Sequence, residues 1–222
     1  NMNATYSVAW INSTAIKHNI GQSLVMLGEH ASLEDLDKKN IKDSLKIKSK
    51  KNRNIPFYFP NWFLNKKLIK LFNFIYYFIG KNTSKEKLVY WDDYFYPLDS
   101  ILGWNKIYGR NGFVQFQCVI PLDKSKEGLV ELLKEIDQSK VCSFLSVLKR
   151  FGDQKSNFSF PMKGYTIALD FPVNKDTLKL LEKLDEITLK YNGRFYLAKD
   201  ARMNKEIFKR SDKRIQNFIN FR

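Results

Sequence analysis

The sequence predicts an α+β fold, an antiparallel sheet with helices packed on one face. Two observations carry this expectation. Between residues 112 and 198, apolar residues recur with a period of two in four short runs and of 3.6 in two longer ones, in the order β-α-β-β-α-β. At 222 residues, 44% hydrophobic and 15% aromatic, the chain also carries enough apolar side chain for a sizeable core.

The elements follow in order. A strand at 112–120 sends Val114, Phe116, Cys118 and Ile120 to one side and Phe113, Gln115, Gln117 and Val119 to the other. A helix over about 126–139 has Leu129, Leu132, Leu133 and Ile136 on one stripe, and a strand at 142–151 follows. After the turn-rich GDQKSN, a third strand runs through YTIALDFP and ends at Pro172. A second helix from about Lys175 to Tyr191 carries Leu178, Leu181, Leu184 and Ile187, and Gly193 is expected in the left-handed position behind it. Phe195 to Ala198 forms the last strand. This is a ferredoxin-like βαββαβ core in residues 112–198, with both helices on one face. Gln115, Gln117, Thr166 and Ala168 then point away from the helices, and parity can place Lys149 with them. Such a face is either wet or a binding surface.

Ahead of this unit, residues 34–54 are dominated by Lys, Asp, Asn and Ser and read as a polar, mobile excursion. Residues 61–81 are the most apolar stretch, but Lys66, Lys67 and Lys70 interrupt it and the unbroken run is about half the ~20 residues of a spanning helix. Leu64, Leu68, Leu71, Phe72, Ile75 and Phe78 recur at helical spacing. Docking of that stripe on the chain's own core is the favoured reading, and peripheral membrane contact through 61–81 is the alternative.

A formal charge of +15 attracts any polyanion, whether nucleic acid, acidic membrane or phosphorylated ligand. Cys118 and Cys142 sit in apolar runs and read as small hydrophobes of a reducing compartment. NMNATYSVAW lacks a signal-peptide pattern, so the expected location is cytoplasmic, with membrane association the alternative. His18 and His30 lack ligand-spaced partners, and no metal site is expected. Asp99 and Asp170 read as carboxylates capping turns or strand ends. Trp10, Trp104 and Tyr108 read as core or domain-contact aromatics, with ligand stacking as the alternative.

Two functional readings meet on the open sheet face. GFVQF, preceded by Arg110, is loosely similar to the aromatic strand motif of RNA-recognition domains, although glutamines stand where base stacking would need aromatics. A nucleic-acid-binding module is therefore the alternative reading, as is a non-catalytic remnant. The stronger signal lies in FYPLDSILGWNKIYGRNGFVQFQCVIPL, SFLSVLKRFG, FSFPMKGYTIALDFP and NGRFYLAKDARM, with YSVAWIN and GQSLVMLGEHA ahead of them. In order and spacing these resemble the flavin-dependent decaprenylphosphoryl-β-D-ribose 2-oxidase family, of the vanillyl-alcohol-oxidase type.

The resemblance implies an FAD-linked oxidoreductase that takes hydride from a secondary hydroxyl of a sugar or polyprenyl-phosphate sugar, a precursor of cell-wall polysaccharide. It implies that residues 1–192 are the substrate-binding cap. Residues 193–222 would return toward an FAD-binding domain or subunit outside this chain, which alone is expected to be inactive. Lys199 matches the family's lysine beside flavin and substrate, and Gln115 and Gln117 match its active-site glutamines, Gln117 on the flavin side. Lys149 matches a pocket lysine for phosphate or hydroxyl, and Phe95 stands where a pocket tyrosine is expected. Thr166 and Ala168 replace a pocket asparagine and, in some members, a cysteine, so chemistry relying on that thiol is not expected. Trp10 completes the substrate-side candidates.

Overall fold

The computed structural model describes residues 4–221 apart from 16, 39–40, 42, 47–49, 84–85 and 155–157. Part of the polar excursion and part of the GDQKSN turn lie outside the described residues. In chain order the elements are β1 (Tyr6–Ile11), β2 (Ser23–Gly28), α1 (Leu33–Lys38), β3 (Arg53–Asn54), α2 (Lys66–Asn82), α3 (Trp91–Phe95) and β4 (Ile101–Leu102). Then come β5 (Phe113–Pro121), α4 (Ser125–Gln138), β6 (Ser146–Phe151), β7 (Gly164–Pro172), α5 (Lys175–Lys190), β8 (Arg194–Phe195), α6 (Lys205–Ser211) and α7 (Ile215–Phe221).

Six strands form one sheet in the order β2-β1-β6-β7-β5-β8, every neighbouring pair antiparallel. β3 and β4 make a separate two-residue parallel pair, and α1 occupies part of the 34–54 excursion. The alternation read from the sequence decides which face is dry. Val114, Phe116, Cys118 and Ile120 of β5 meet Ile167, Leu169 and Phe171 of β7 on one side. Leu132, Leu133 and Ile136 of α4 and Leu180, Leu181, Leu184 and Ile187 of α5 cover them. Burying each such side chain contributes roughly 1.5–3 kcal/mol, so this layer dominates the stability of the fold. Asn174 caps α5, its side chain accepting from the Thr177 N–H, and thereby satisfies one of the open donors of the first turn.

Several sequence expectations need correction. β6 begins at Ser146, not at 142, because Ser143 binds across to β7: its hydroxyl accepts from the Asp170 N–H and donates to the Leu145 carbonyl. The last strand is Arg194–Phe195, and Leu197–Lys199 turn into a single 3₁₀ turn. Leu178 is exposed, and Leu180 takes the core position instead. The left-handed residue behind α5 is Asn192 (φ 56°), not Gly193. Gly193 is required for space, since a Cβ there would stand 2.8 Å from the Val119 carbonyl oxygen. β1 and β2, which extend the sheet, were not anticipated as strands.

The largest correction concerns α2. Its apolar stripe does not dock on the core: Leu68, Leu71, Phe72, Ile75 and Phe78 are exposed. The helix instead lies on β1 and β2 through the opposite side. Ile69 and Asn73 are buried, Tyr76 packs against Trp10, and Gly80 admits Leu24 so closely that a Cβ would sit 2.3 Å from it. Asn73 decides this orientation, because its amide donates to Asn12 (2.9 Å) and Thr14 (3.1 Å), and a buried amide must keep such partners.

Candidate functional site

The sheet face turned away from α4 and α5 follows from register. Gln115 pairs with Asp170, Gln117 with Ala168 and Lys149 with Thr166, so β5, β6 and β7 present these side chains together with Val147. Aromatic clusters stand at both ends of this floor. At one end Tyr108 stacks on Phe113 with ring centroids 4.7 Å apart, and Trp104 stacks on Phe144 at 5.8 Å. At the other end Phe160 stacks on Tyr196 at 4.9 Å and meets Phe151 edge-on.

Asp170 is the electrostatic centre. It is 2% exposed. Burial pushes its carboxyl above the ordinary range, and four groups oppose that shift: Gln115, the Lys199 ammonium, Tyr108 and Trp104. The Gln115 amide donates to Oδ1 at 2.7 Å, and the Tyr108 hydroxyl approaches Oδ2 at 3.5 Å. Burial and the neighbouring carboxylate together hold the Tyr108 phenol far above its ordinary value. This aspartate was assigned to turn capping from sequence. Its parity with Thr166 and Ala168 was the signal that places it on the open face.

Lys199 approaches from the turn after β8. That turn is fixed by two backbone hydrogen bonds, Tyr196 N–H to the Gln117 carbonyl (2.9 Å) and Lys199 N–H to the Tyr196 carbonyl (3.0 Å). Lys199 makes no ion pair among the described residues, so its charge is felt by Asp170 without being neutralised by contact. A narrow crevice lined by Gln115, Gln117, Tyr196, Asp200 and Arg202 runs between strand and turn. Arg202 forks onto Asp185 of α5 at 2.6 and 2.8 Å and pins the segment behind Lys199.

The structure thus brings Gln115, Gln117, Ala168 and Lys149 onto one face, with Lys199 beside it. Thr166 lies on that face but is only 1% exposed, and its hydroxyl accepts from the Gln117 amide at 3.2 Å. It positions Gln117 and is not itself open to a ligand. Trp10, on the same face two strands beyond β7, is covered by Tyr76. Phe95 is exposed on α3 and packs edge-on against Tyr6 at the start of β1. Tyr6 shares the face of Trp10, so Phe95 stands on the Gln115 side of the sheet but three strands away from it. Phe113, the aromatic of GFVQF, is engaged by Tyr108 and so is not free for base stacking.

With α4 and α5 on one face of the central strands and amides, a buried carboxylate and a lysine gathered at the other, the chain is an α+β domain with a candidate binding face beside the strip that α2 covers. No protein-family model matches the chain. The chain is, however, 32% identical over 221 residues to the decaprenylphosphoryl-β-D-ribose oxidase of Mycolicibacterium smegmatis. The match covers 99% of this chain and 48% of that oxidase, so the chain spans about half the length of this curated relative. The resemblance carried by the sequence motifs is borne out along nearly the whole chain.

Proposed function

We propose that this chain is the substrate-binding part of an FAD-dependent oxidoreductase that oxidises a secondary hydroxyl of a sugar or sugar-phosphate lipid. One observation carries the reading: Gln115 and Gln117, which match the oxidase motifs, share one sheet face, and Lys199 lies near enough to act on the buried Asp170 of that face, in a chain 32% identical to such an oxidase. Residues 1–192 act as the cap in this reading, and 193–222 lead toward the part that holds most of the FAD.

The donor set fits the polar edge of a flavin ring. Lys199 offers donors, while Gln115 and Gln117 donate to Asp170 and Thr166 and leave their amide oxygens unpartnered among the described residues. The flavin, when bound, supplies the hydride acceptor. Lys199 keeps a fixed positive charge beside the reacting atoms, where it favours negative charge as it develops. Asp170 orients Gln115 and holds Lys199 toward the floor. Lys149, exposed on the same face, suits a phosphate as a point charge.

In a chain supplied with a flavin-binding domain and a polyprenyl-phosphoryl pentose, Lys199→Ala should slow flavin bleaching by about 10²–10³-fold. An unchanged rate removes Lys199 from this role. Without any flavin, titrating the present chain with the same lipid should shift the Gln115 and Gln117 side-chain amide resonances, and Lys149→Ala should weaken that binding. Silent glutamines would overturn the site itself.

A further inference from the structure

We infer that α2 is a docking surface for an anionic lipid bilayer, lying in the plane of the interface with its outward face inserted. With Ile69, Asn73 and Gly80 turned to the sheet, helical geometry puts Leu71, Ile75 and Phe78 on the opposite side, with Leu68 and Ile79 next to them. Leu71, Phe74, Phe78 and Ile79 are each more than half exposed. Such a continuous apolar face on a soluble domain marks a contact surface. At the N-terminal end of the helix Trp62 is 68% exposed, the position of an aromatic that rests at headgroup depth.

Charge selects the occupant. α2 contains no Asp or Glu, and Lys67, Lys70 and Lys81 lie along one flank of the apolar face. None of the three is ion-paired among the described residues, whereas Lys66, on the docked side, is paired with Asp137. The whole chain carries +15. A bilayer bearing anionic headgroups lets these lysines stay hydrated while they attract, and takes the apolar side chains into its acyl boundary. A second copy would bring two like-charged lysine rows together. A protein interface depletes lysine at its centre and needs acidic partners for it. No helix among the described residues is long and apolar enough to cross a membrane, so the contact is peripheral.

The placement has a geometric corollary. α2 lies over β1 and β2, about three strand spacings, or roughly 14 Å, from β5 on the same face of the sheet. A lipid-linked ligand held at Gln115 could keep its tail in the bilayer. Docking itself does not depend on the redox reading and is tested without flavin or substrate.

The experiment is co-sedimentation of the 222-residue chain with vesicles of phosphatidylcholine alone or mixed with phosphatidylglycerol. Binding to the mixed vesicles is expected, and Lys67→Gln, Lys70→Gln and Lys81→Gln should each weaken it by about fivefold. The pair Leu71→Ser and Phe78→Ser should abolish it while leaving the melting temperature within a few degrees of the parent, since both residues are already exposed. Trp62 fluorescence should be quenched by brominated lipid, a signal lost in Trp62→Phe. No binding to either vesicle overturns the proposal. Binding that survives the two serine substitutions also overturns it, since adsorption would then be through the general basic surface. Self-association removed by those substitutions would assign the face to a second copy instead.

Discussion

Burial acts on single side chains here in two opposite ways, and the cysteines show the simpler one. Cys118 is fully buried and its thiol is pushed up to about 12; burial likewise raises Cys142 to about 11, against the pull of Lys66 and Lys70. At mildly alkaline pH the native chain should leave both thiols unreacted with an aromatic disulfide reagent, while the guanidinium-unfolded chain titrates both. Rapid native reaction of either would mean that the core opens locally. Asp170 shows the second way, since its burial is countered by Gln115, Lys199, Tyr108 and Trp104. Period-two alternation made Gln115, Gln117 and Ala168 legible as one face. It did not reveal Asp170, because a carboxylate beside Phe-Pro also satisfies a turn-capping rule, and only its partners on β5 and in the 104–108 turn distinguish the two.

At the scale of elements, the C-terminal segment is tied down by charge. Asp212 sits between Arg214 (Nε to Oδ1, 2.9 Å) and Arg194 (Nε to Oδ2, 3.4 Å), and Arg214 also donates to the Ser159 carbonyl. Burial alone would raise the Asp212 carboxyl, but the two guanidinium groups outweigh it and hold the carboxyl below its ordinary value. A lowered folded value means that this carboxylate stabilises the fold above the ordinary carboxylate range and that the contribution is lost as pH falls through the lowered value. Asp212→Asn should therefore cost about 1–3 kcal/mol at neutral pH, and the cost should shrink in acid, as read by denaturant unfolding at both. A cost equal at the two pH values would contradict the ion-pair account. The segment's apolar anchors, Ile207 and Ile215, are buried, and Ile207 joins the main core. Helices α4 and α5 were legible in the sequence because their apolar stripes face a core. α2 was not: its stripe has the same period, and periodicity cannot tell an inward face from an outward one. What orients the helix is Asn73 and Gly80, residues that carry no weight in a hydrophobicity pattern.

For the molecule as a whole, +15 on 222 residues is a self-repelling charge. Raising ionic strength from a few millimolar to about 0.2 M, where charges more than about 8 Å apart are largely screened, should raise the melting temperature by several degrees. A flat response would show that the basic residues are already locally compensated. The α+β class and the four strands β5 to β8 could be read from period and spacing. The six-stranded extent could not, because β1 finds its place only by pairing with β6, a contact with more than a hundred residues between the partners, and β2 joins through β1.

The floor and the lysine of the site differ in how they are built. β5 and β7 are zipped along nine residues each, whereas Lys199 rides on one 3₁₀ turn behind a two-residue strand. Half of the site is an anvil and the other half is on a pivot. Sequence change within 113–121 must therefore be felt by the entire sheet, while change within 197–199 re-aims a charge and leaves the scaffold as it was, so variation in ligand preference has its cheapest route through that turn.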